Sequence, residues 1–463
     1  MDDAKPLRAA YNGRGNDAAT AVIRESGFMV LLAAAHVPKG TANVSLLTLA
    51  LGFALATALG WGLSVVVARV CRRLGLLDQP SGRHAHARPA PRLGGIAIFA
   101  AFALVAALLY RPAALYEGRI AVGLFAAAAL TVAVMAVDDL RGLPAWPRLL
   151  AQAVAAALVM FPGAQGLIIA VIHNPLASGA SAIVPLPLWL ALPFTAFWII
   201  GMMNTINWVD GVDGLAGGVV TIAAVVMATI AWMLGQHTVA LLCALLAGAT
   251  LGFLLLNWRP GALFMGDSGA MFLGLALATL AGMGGAKLAT MLLLLGLPIL
   301  DAAWVIFRRL QRGRTPMRAD RSHLHYRLLA SGMSQRQVAL IFYAITGAFG
   351  AVTILAAYLQ AHSWRWTAIF QLTPWLNVAE TETPTLIGLA LVPAVTLAIW
   401  ALVWRRRRLP TPAIQPVVAE SAALATEPPP TPTLQAMPAS EVSGPRRDVA
   451  LPSGSGPRRR PER

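Results

Sequence analysis

Seven aspartates in this chain stand where a carboxylate needs a reason. Asp138, Asp139, Asp210, Asp213, Asp267, Asp301 and Asp320 lie at the ends of apolar runs, in the loops between them or, for Asp301, inside one. The other thirteen of the 20 acidic residues occupy tails and ordinary loops. A carboxylate beside a lipid-embedded helix is costly without a partner. A solvated cap or a salt bridge to a loop arginine would account for any one of them alone. Asp138 and Asp139 are adjacent, however, and two neighbouring carboxylates repel unless a proton or a cation neutralises them. Taken with Asp267, they call for a hard cation with oxygen ligands, magnesium above all. Arginines crowd the same loops, and carboxylates, a divalent metal and arginines together describe a site for phosphate chemistry.

Five strings carry these residues. In HAHARPAPRLGGIAIF, 84–99, Pro89 and Pro91 keep the loop extended, and Gly94 and Gly95 open the next run and allow close backbone approach. His86 in this loop is a candidate substrate contact. In AVDDLRGLPAWPRLLAQ, 136–152, the acidic pair ends one run, and Arg148 and Gln152 begin the next. In NTINWVDGVDGLAGG, 204–218, Asn204, Asn207, Asp210 and Asp213 are spaced by three, near one helical stripe, before glycines break the helix. In FMGDSGAMFLG, 264–274, a Gly-flanked Asp267 stands at a helix start. The GDSG tetrapeptide also surrounds serine nucleophiles, but neither a base histidine nor a strand-rich context supports that reading. The last string, RRLQRGRTPMRADRSHLHYRL, 308–328, joins many arginines to Arg321, His323 and His325. Zinc is disfavoured there, because neither a cysteine nor a third histidine is near. Diphosphate or sugar hydroxyls suit the loop better.

The elements that must position these groups follow from composition. Of 463 residues, 57% are hydrophobic and 12% charged, half the charge of a soluble domain. Global disorder is excluded. A disulfide scaffold is excluded too, because Cys71 and Cys243 sit in separate apolar runs and read as small buried hydrophobes. Apolar runs fall at about 45–70, 93–110, 119–137, 147–162, 187–206, 214–234, 238–258, 266–285, 287–307, 336–360 and 384–404. The fold class is therefore all-α integral membrane: a polytopic bundle of about 10–11 transmembrane helices, rich in Ala and Gly for close packing. The short runs at 147–162 and 266–285 carry the least signal, and 163–186 form one longer connection.

Residues 1–44 read as an extramembrane arm, 45–405 as the membrane domain and 406–463 as a disordered Pro/Arg-rich tail. The formal charge of +16 is arginine, since Lys5, Lys39 and Lys287 are the only lysines. It does not point to nucleic acid. It alternates between loops: Arg72, Arg73, Arg83, Arg88, Arg92, Arg141, Arg148, Arg259, the 308–336 arginines and Arg405–Arg408 on one side; Arg111, Arg119, Lys287 and Arg365 on the other. By the positive-inside rule the first side, with all seven aspartates, is cytoplasmic. A secondary transporter would place its charges near the bilayer midplane and show repeated halves. Here the charges hug one face.

Across residues 45–405, with all motifs in order, the chain resembles the polyprenyl-phosphate N-acetylhexosamine-1-phosphate transferase family. Its acidic pair falls on Asp138 and Asp139, its N-x-x-N-x-x-D-G-x-D-G-L block on Asn204 to Leu215, its magnesium aspartate on Asp267 and its histidine loop on His323 to Tyr326. The A-D-R-x-H-x-H loop is similar to the branch using UDP-N-acetylglucosamine rather than the muramoyl-pentapeptide branch of peptidoglycan synthesis. Tyr326 stands where many relatives have a third histidine, and His84 where many have a lysine or arginine. The resemblance implies a multi-pass enzyme of the bacterial plasma membrane. It would move a sugar 1-phosphate from a UDP-sugar to polyprenyl phosphate and release UMP, as the first membrane step of cell-envelope glycan synthesis. It implies magnesium, with manganese able to substitute, held by Asp267 and Asn207. Asp138, Asp139 and Asp267 become the catalytic set. Asn204, Asp210, Asp213, Arg321, His323, His325 and His86 become substrate contacts. The partners are the UDP-sugar, the lipid and the bilayer, and a homodimer is allowed.

Overall fold

The computed structural model describes residues 44–78, 89–161, 166–173, 183–259, 262–283, 287–313 and 323–361. The 1–44 arm up to residue 43, the run at 384–404, the tail, His86, Arg321 and Asp320 lie outside the described residues.

Helices dominate. They are α1 (Leu46–Arg73), α2 (Gly94–Leu109), α3 (Leu115–Arg141), α4 (Ala145–Met160), α5 (Leu188–Val209), α6 (Leu215–Met233), α7 (His237–Asn257), α8 (Gly266–Met283), α9 (Lys287–Leu294), α10 (Gly296–Gln311), α11 (Leu324–Ala330) and α12 (Gln335–Ala361). Seven of them are long and apolar enough to cross a membrane, and α2 and α4 are shorter apolar helices. This is an all-α polytopic membrane protein. Each expected span up to residue 360 has a helical counterpart. The run at 287–307 departs from a single span. It breaks at Leu295 into α9 and α10, and Pro298 falls in the first turn of α10, where its missing N–H leaves no intrahelical bond unmade. Two antiparallel ribbons escaped the sequence reading. Strand β1 (Leu77–Asp78) pairs with β2 (Ala90–Pro91), and β3 (Val171–His173) pairs with β4 (Ile183–Pro185) within the long connection.

The helix at 266–283, weak by hydropathy, is the most enclosed of the long ones. It packs against α2, α3 and α5, while α7 packs against α1, α2 and α6. The outward side chains of α1, such as Leu47, Leu51, Trp61 and Val66, are exposed as lipid-facing residues are.

Close approach at the start of α2 and α8 sets the geometry of the site. The segment before α8 is hydrogen-bonded to the entry of α2: Phe264 N donates to Pro91 O at 2.8 Å, Gly94 N to Phe264 O and Gly95 N to Met265 O, both at 2.9 Å. A Cβ at Gly95 would stand 2.1 Å from the backbone nitrogen of Gly269. Small residues at such crossings supply much of the packing attraction between helices in lipid. Gly95→Ala should therefore overpack the contact, costing about 1–3 kcal/mol and lowering the thermal melting point in detergent by several degrees. Gly201→Ala, where an added methyl meets nothing within 4 Å, should leave the melt unchanged. Equal melts for the two variants would contradict the close approach.

Candidate functional site

The side chains that carry the chemistry come from the end of α3, the entry of α2 and the starts of α4 and α8, and ion pairs join them at one place. There, Asp138 and Asp139 close α3. Gly142 in the left-handed conformation terminates that helix, with its N–H returning to Asp138 O at 2.8 Å.

The two adjacent carboxylates do different things. The Asp139 carboxylate is fully enclosed. Its Oδ1 accepts the backbone N–H of Asp267 at 2.8 Å, and its Oδ2 that of Ser268 at 3.1 Å. It thus caps the N-terminus of α8 from a different helix, where donors lack intrahelical partners and the macrodipole favours negative charge. Gly266 adopts φ +74°, and a Cβ there would stand 2.4 Å from Asp139 Oδ2, so glycine is required to admit the cap. Arg92 Nε closes the arrangement, 3.3 Å from Asp139 Oδ1. Asp138 turns elsewhere. It accepts from Leu143 N at 2.6 Å, faces Arg148 Nε at 3.3 Å, and shares that guanidinium with Asp267.

Asp267 stands in the first turn of α8 and is gripped from two sides. Arg92 approaches its Oδ1 at 3.4 Å and Arg148 its Oδ2 at 2.7 Å. Asp210 joins the group from the end of α5. Burial and the negative charges of Asp267, Asp213 and Asp139 push its carboxyl up to about 8, with Arg92 pulling the other way. Asp138, Asp139 and Asp267 are therefore brought together with Arg92 and Arg148, and Asp210 lies near enough to feel their charge. Arg92 was read from sequence only as loop charge, and Arg148 as the start of the run that follows the acidic pair. Their proximity to charge motifs was visible, but the pairing is tertiary.

The stripe Asn204–Asn207–Asp210–Asp213 does not run as one helix. Helix α5 ends at Val209, and Asp210 to Gly214 form a turn. Asn204 Nδ2 donates to Gln152 Oε1 at 2.7 Å and to Ile200 O at 2.8 Å, so its amide ties α5 to α4. Asn207, half-buried, lies one turn nearer the aspartates. The turn is pinned by Asn257, which sequence reasoning did not single out: Gly214 N donates to its Oδ1 at 2.7 Å, and its Nδ2 donates to Leu263 O at 2.9 Å. The hydroxyl of Tyr343 donates to Gly214 O.

His323 and His325 back onto this turn. A Cβ at Gly211 would stand 2.5 Å from His325 Nε2 and 2.8 Å from the Tyr326 hydroxyl. The His323 ring stacks on Trp208, at 6.0 Å, and on His325, at 5.8 Å. His325 is buried and its Nε2 lacks a hydrogen-bond partner among the described residues. Burial, aided by His323, depresses its pKa to about 3, so the ring is neutral near pH 7.

No three His, Cys, Asp or Glu side chains among the described residues form a metal cage by themselves. The donor set still suits magnesium, which takes one or two carboxylates and completes its shell with water and substrate phosphates. Asp267 and Asp138 offer such a carboxylate pair; the oxygens of Asp139 are already committed to the α8 backbone.

Comparison with known proteins agrees with this geometry. Residues 121–285 match the model of glycosyl transferase family 4. The chain is 31% identical over 311 residues to a probable undecaprenyl-phosphate N-acetylglucosaminyl 1-phosphate transferase of Bacillus subtilis, covering 66% of this chain and 83% of that protein. It is 32% identical to a decaprenyl-phosphate N-acetylglucosaminephosphotransferase of Mycolicibacterium smegmatis, covering 72% and 88%. An undecaprenyl-phosphate alpha-N-acetylglucosaminyl 1-phosphate transferase of Escherichia coli is 27% identical, with 63% and 79% covered. With its motifs in family order and its carboxylates gathered at one face, the chain belongs to the polyprenyl-phosphate N-acetylhexosamine-1-phosphate transferases of glycosyl transferase family 4.

Proposed function

We propose that the protein transfers N-acetylglucosamine 1-phosphate from UDP-N-acetylglucosamine to polyprenyl phosphate at the cytoplasmic face of a bacterial plasma membrane. The observation that carries this reading is Asp267, held in the first turn of a buried helix between Arg92 and Arg148, with Asp138 on the same Arg148 guanidinium. The arginine-rich face supports the cytoplasmic orientation. The names of the relatives support the sugar and the lipid, and disfavour the muramoyl-pentapeptide alternative.

In the reaction an oxygen of the polyprenyl phosphate attacks the β-phosphorus. The bond from that phosphorus to its bridging oxygen breaks, and UMP leaves with the oxygen. A magnesium ion bound by Asp267, with Asn207 or Asp138 beside it, would neutralise charge developing on the leaving phosphate. Arg92 and Arg148 lie close enough to Asp267 to grip phosphate oxygens bound next to it. Positioning by these fixed groups supplies much of the rate. Asp138 is the better candidate for proton acceptor, because both oxygens of Asp139 cap α8. A phosphate monoester has a second pKa near 6, so orientation is a second role for Asp138. Asp210 and Asp213 serve the nucleotide end or support the metal aspartate. His323, His325 and Arg321 take the sugar diphosphate. His325, being neutral, contributes a hydrogen bond rather than charge.

The following outcomes are expected with purified protein. Asp267→Asn should lower UMP release in magnesium by on the order of 10³-fold, the loss of several kcal/mol of charge stabilisation. Near-normal turnover would contradict the metal role. Asp138→Asn should lose about 10²–10⁴-fold in kcat with an unchanged melt. Asp139→Ala should instead lower the melting temperature, since a lost helix cap costs about 0.5–2 kcal/mol; the opposite pattern would exchange their roles. A panel of UDP-sugars with undecaprenyl phosphate, with and without EDTA, tests the substrate. Product from UDP-N-acetylglucosamine alone, abolished by EDTA and restored by magnesium, is expected. Product only from UDP-muramoyl-pentapeptide would overturn the assignment.

A further inference from the structure

Asp301, an aspartate inside an apolar run, is left without a task by the transfer reaction. It sits in α10 between Leu300 and Ala302, a helix that packs against α5 and α12. A carboxylate in such a segment is costly unless its oxygens are partnered. Both are partnered, and both partners belong to the start of α11. Asp301 Oδ1 accepts the backbone N–H of Leu324 at 2.9 Å, and Oδ2 lies 2.9 Å from His323 Nδ1. Neither side chain is open to solvent: 12% of Asp301 and 8% of His323 remain exposed.

Capping α11 would need only one of these oxygens. The second fixes the imidazole. A carboxylate facing Nδ1 requires a proton on that nitrogen, and the hydrogen bond made by one ring nitrogen decides what the other can do. In the neutral ring Nε2 is then an acceptor. The ring also stacks on Trp208 and on His325. Trp208 adjoins Asn207 and precedes the Asp210 turn, so the held imidazole belongs to the same face as the aspartates.

We propose that Asp301 is a positioning residue. It locks His323 in the Nδ1–H tautomer, so that Nε2 is presented to accept a hydroxyl proton of the bound nucleotide sugar. The proposal rests on the transferase reading for the identity of that ligand, not for the tautomer. Asparagine at 301 could still accept from Leu324 N, but its amide would then face Nδ1 as a donor. The imidazole would flip to the Nε2–H tautomer and become a donor toward the ligand.

The test is a double-mutant cycle on Asp301→Asn, His323→Ala and the pair, read as kcat and KM for UDP-N-acetylglucosamine at saturating undecaprenyl phosphate. Each single variant should lose about 10–100-fold in kcat/KM, as removal of such orienting partners does at comparable sites. The pair should lose no more than His323→Ala alone, because Asp301 acts through the ring. Additive losses would overturn the proposal. Nitrogen NMR of ¹⁵N-histidine-labelled wild type gives a second reading that does not depend on any Asp301 variant folding. The resonances that vanish in His323→Ala should report Nδ1–H; an Nε2–H ring would overturn the lock. Wild type that makes no product from any UDP-sugar would defeat the transferase reading instead, and the NMR result would still decide the role of Asp301.

Discussion

The site depends on one carboxylate spent on backbone. Helix α8 starts inside the protein, packed against α2, α3 and α5, and the first N–H groups of any helix have no partner of their own. Asp139 supplies both oxygens to Asp267 N and Ser268 N. That cap fixes the first turn of α8, and with it the direction of the Asp267 side chain. The backbone bonds from Pro91, Gly94 and Gly95 to the segment before α8 do the rest, bringing Arg92 to the same spot.

Charge balance at this spot is tight. Asp138, Asp139 and Asp267 meet at one end of a largely apolar bundle, and two arginines are threaded among them. Isolated, any of these charges would be expensive to bury. Together they form a network in which Arg92 touches Asp78, Asp139 and Asp267, and Arg148 touches Asp138 and Asp267. Such a network holds its members in place while leaving Asp267 partly accessible. This is what a phosphoryl-transfer site needs, since the reaction is governed by positioning and by stabilisation of charge on phosphate oxygens.

Much of this was legible in the sequence, for a physical reason. In a chain so apolar, each charge at a helix end stands out, so Asp138, Asp139, Asp210 and Asp267 could be named and assigned to one face. The spans were legible from hydropathy. The break at Leu295 was not, because the run stays apolar through it. The different tasks of Asp138 and Asp139 were not legible either: adjacent residues on a helix point in directions roughly 100° apart, and only the neighbouring helices decide what each meets. Extending the asparagine stripe through Asp213 assumed a continuous helix, whereas α5 ends at Val209 and Asn204 is taken by Gln152. Asn257 and the Asp301–His323 pair join residues far apart in sequence, so no local pattern announces them.

The most direct measurement follows the β-phosphorus. Purified protein in detergent is given UDP-N-acetylglucosamine labelled with ³²P at the β-position, together with undecaprenyl phosphate and magnesium. Transfer of the sugar 1-phosphate places the label in an organic-extractable lipid diphosphate and leaves the UMP unlabelled. Label appearing in UDP would mean that the sugar alone had moved, and label remaining in the donor would mean that no transfer takes place; either result would contradict the account.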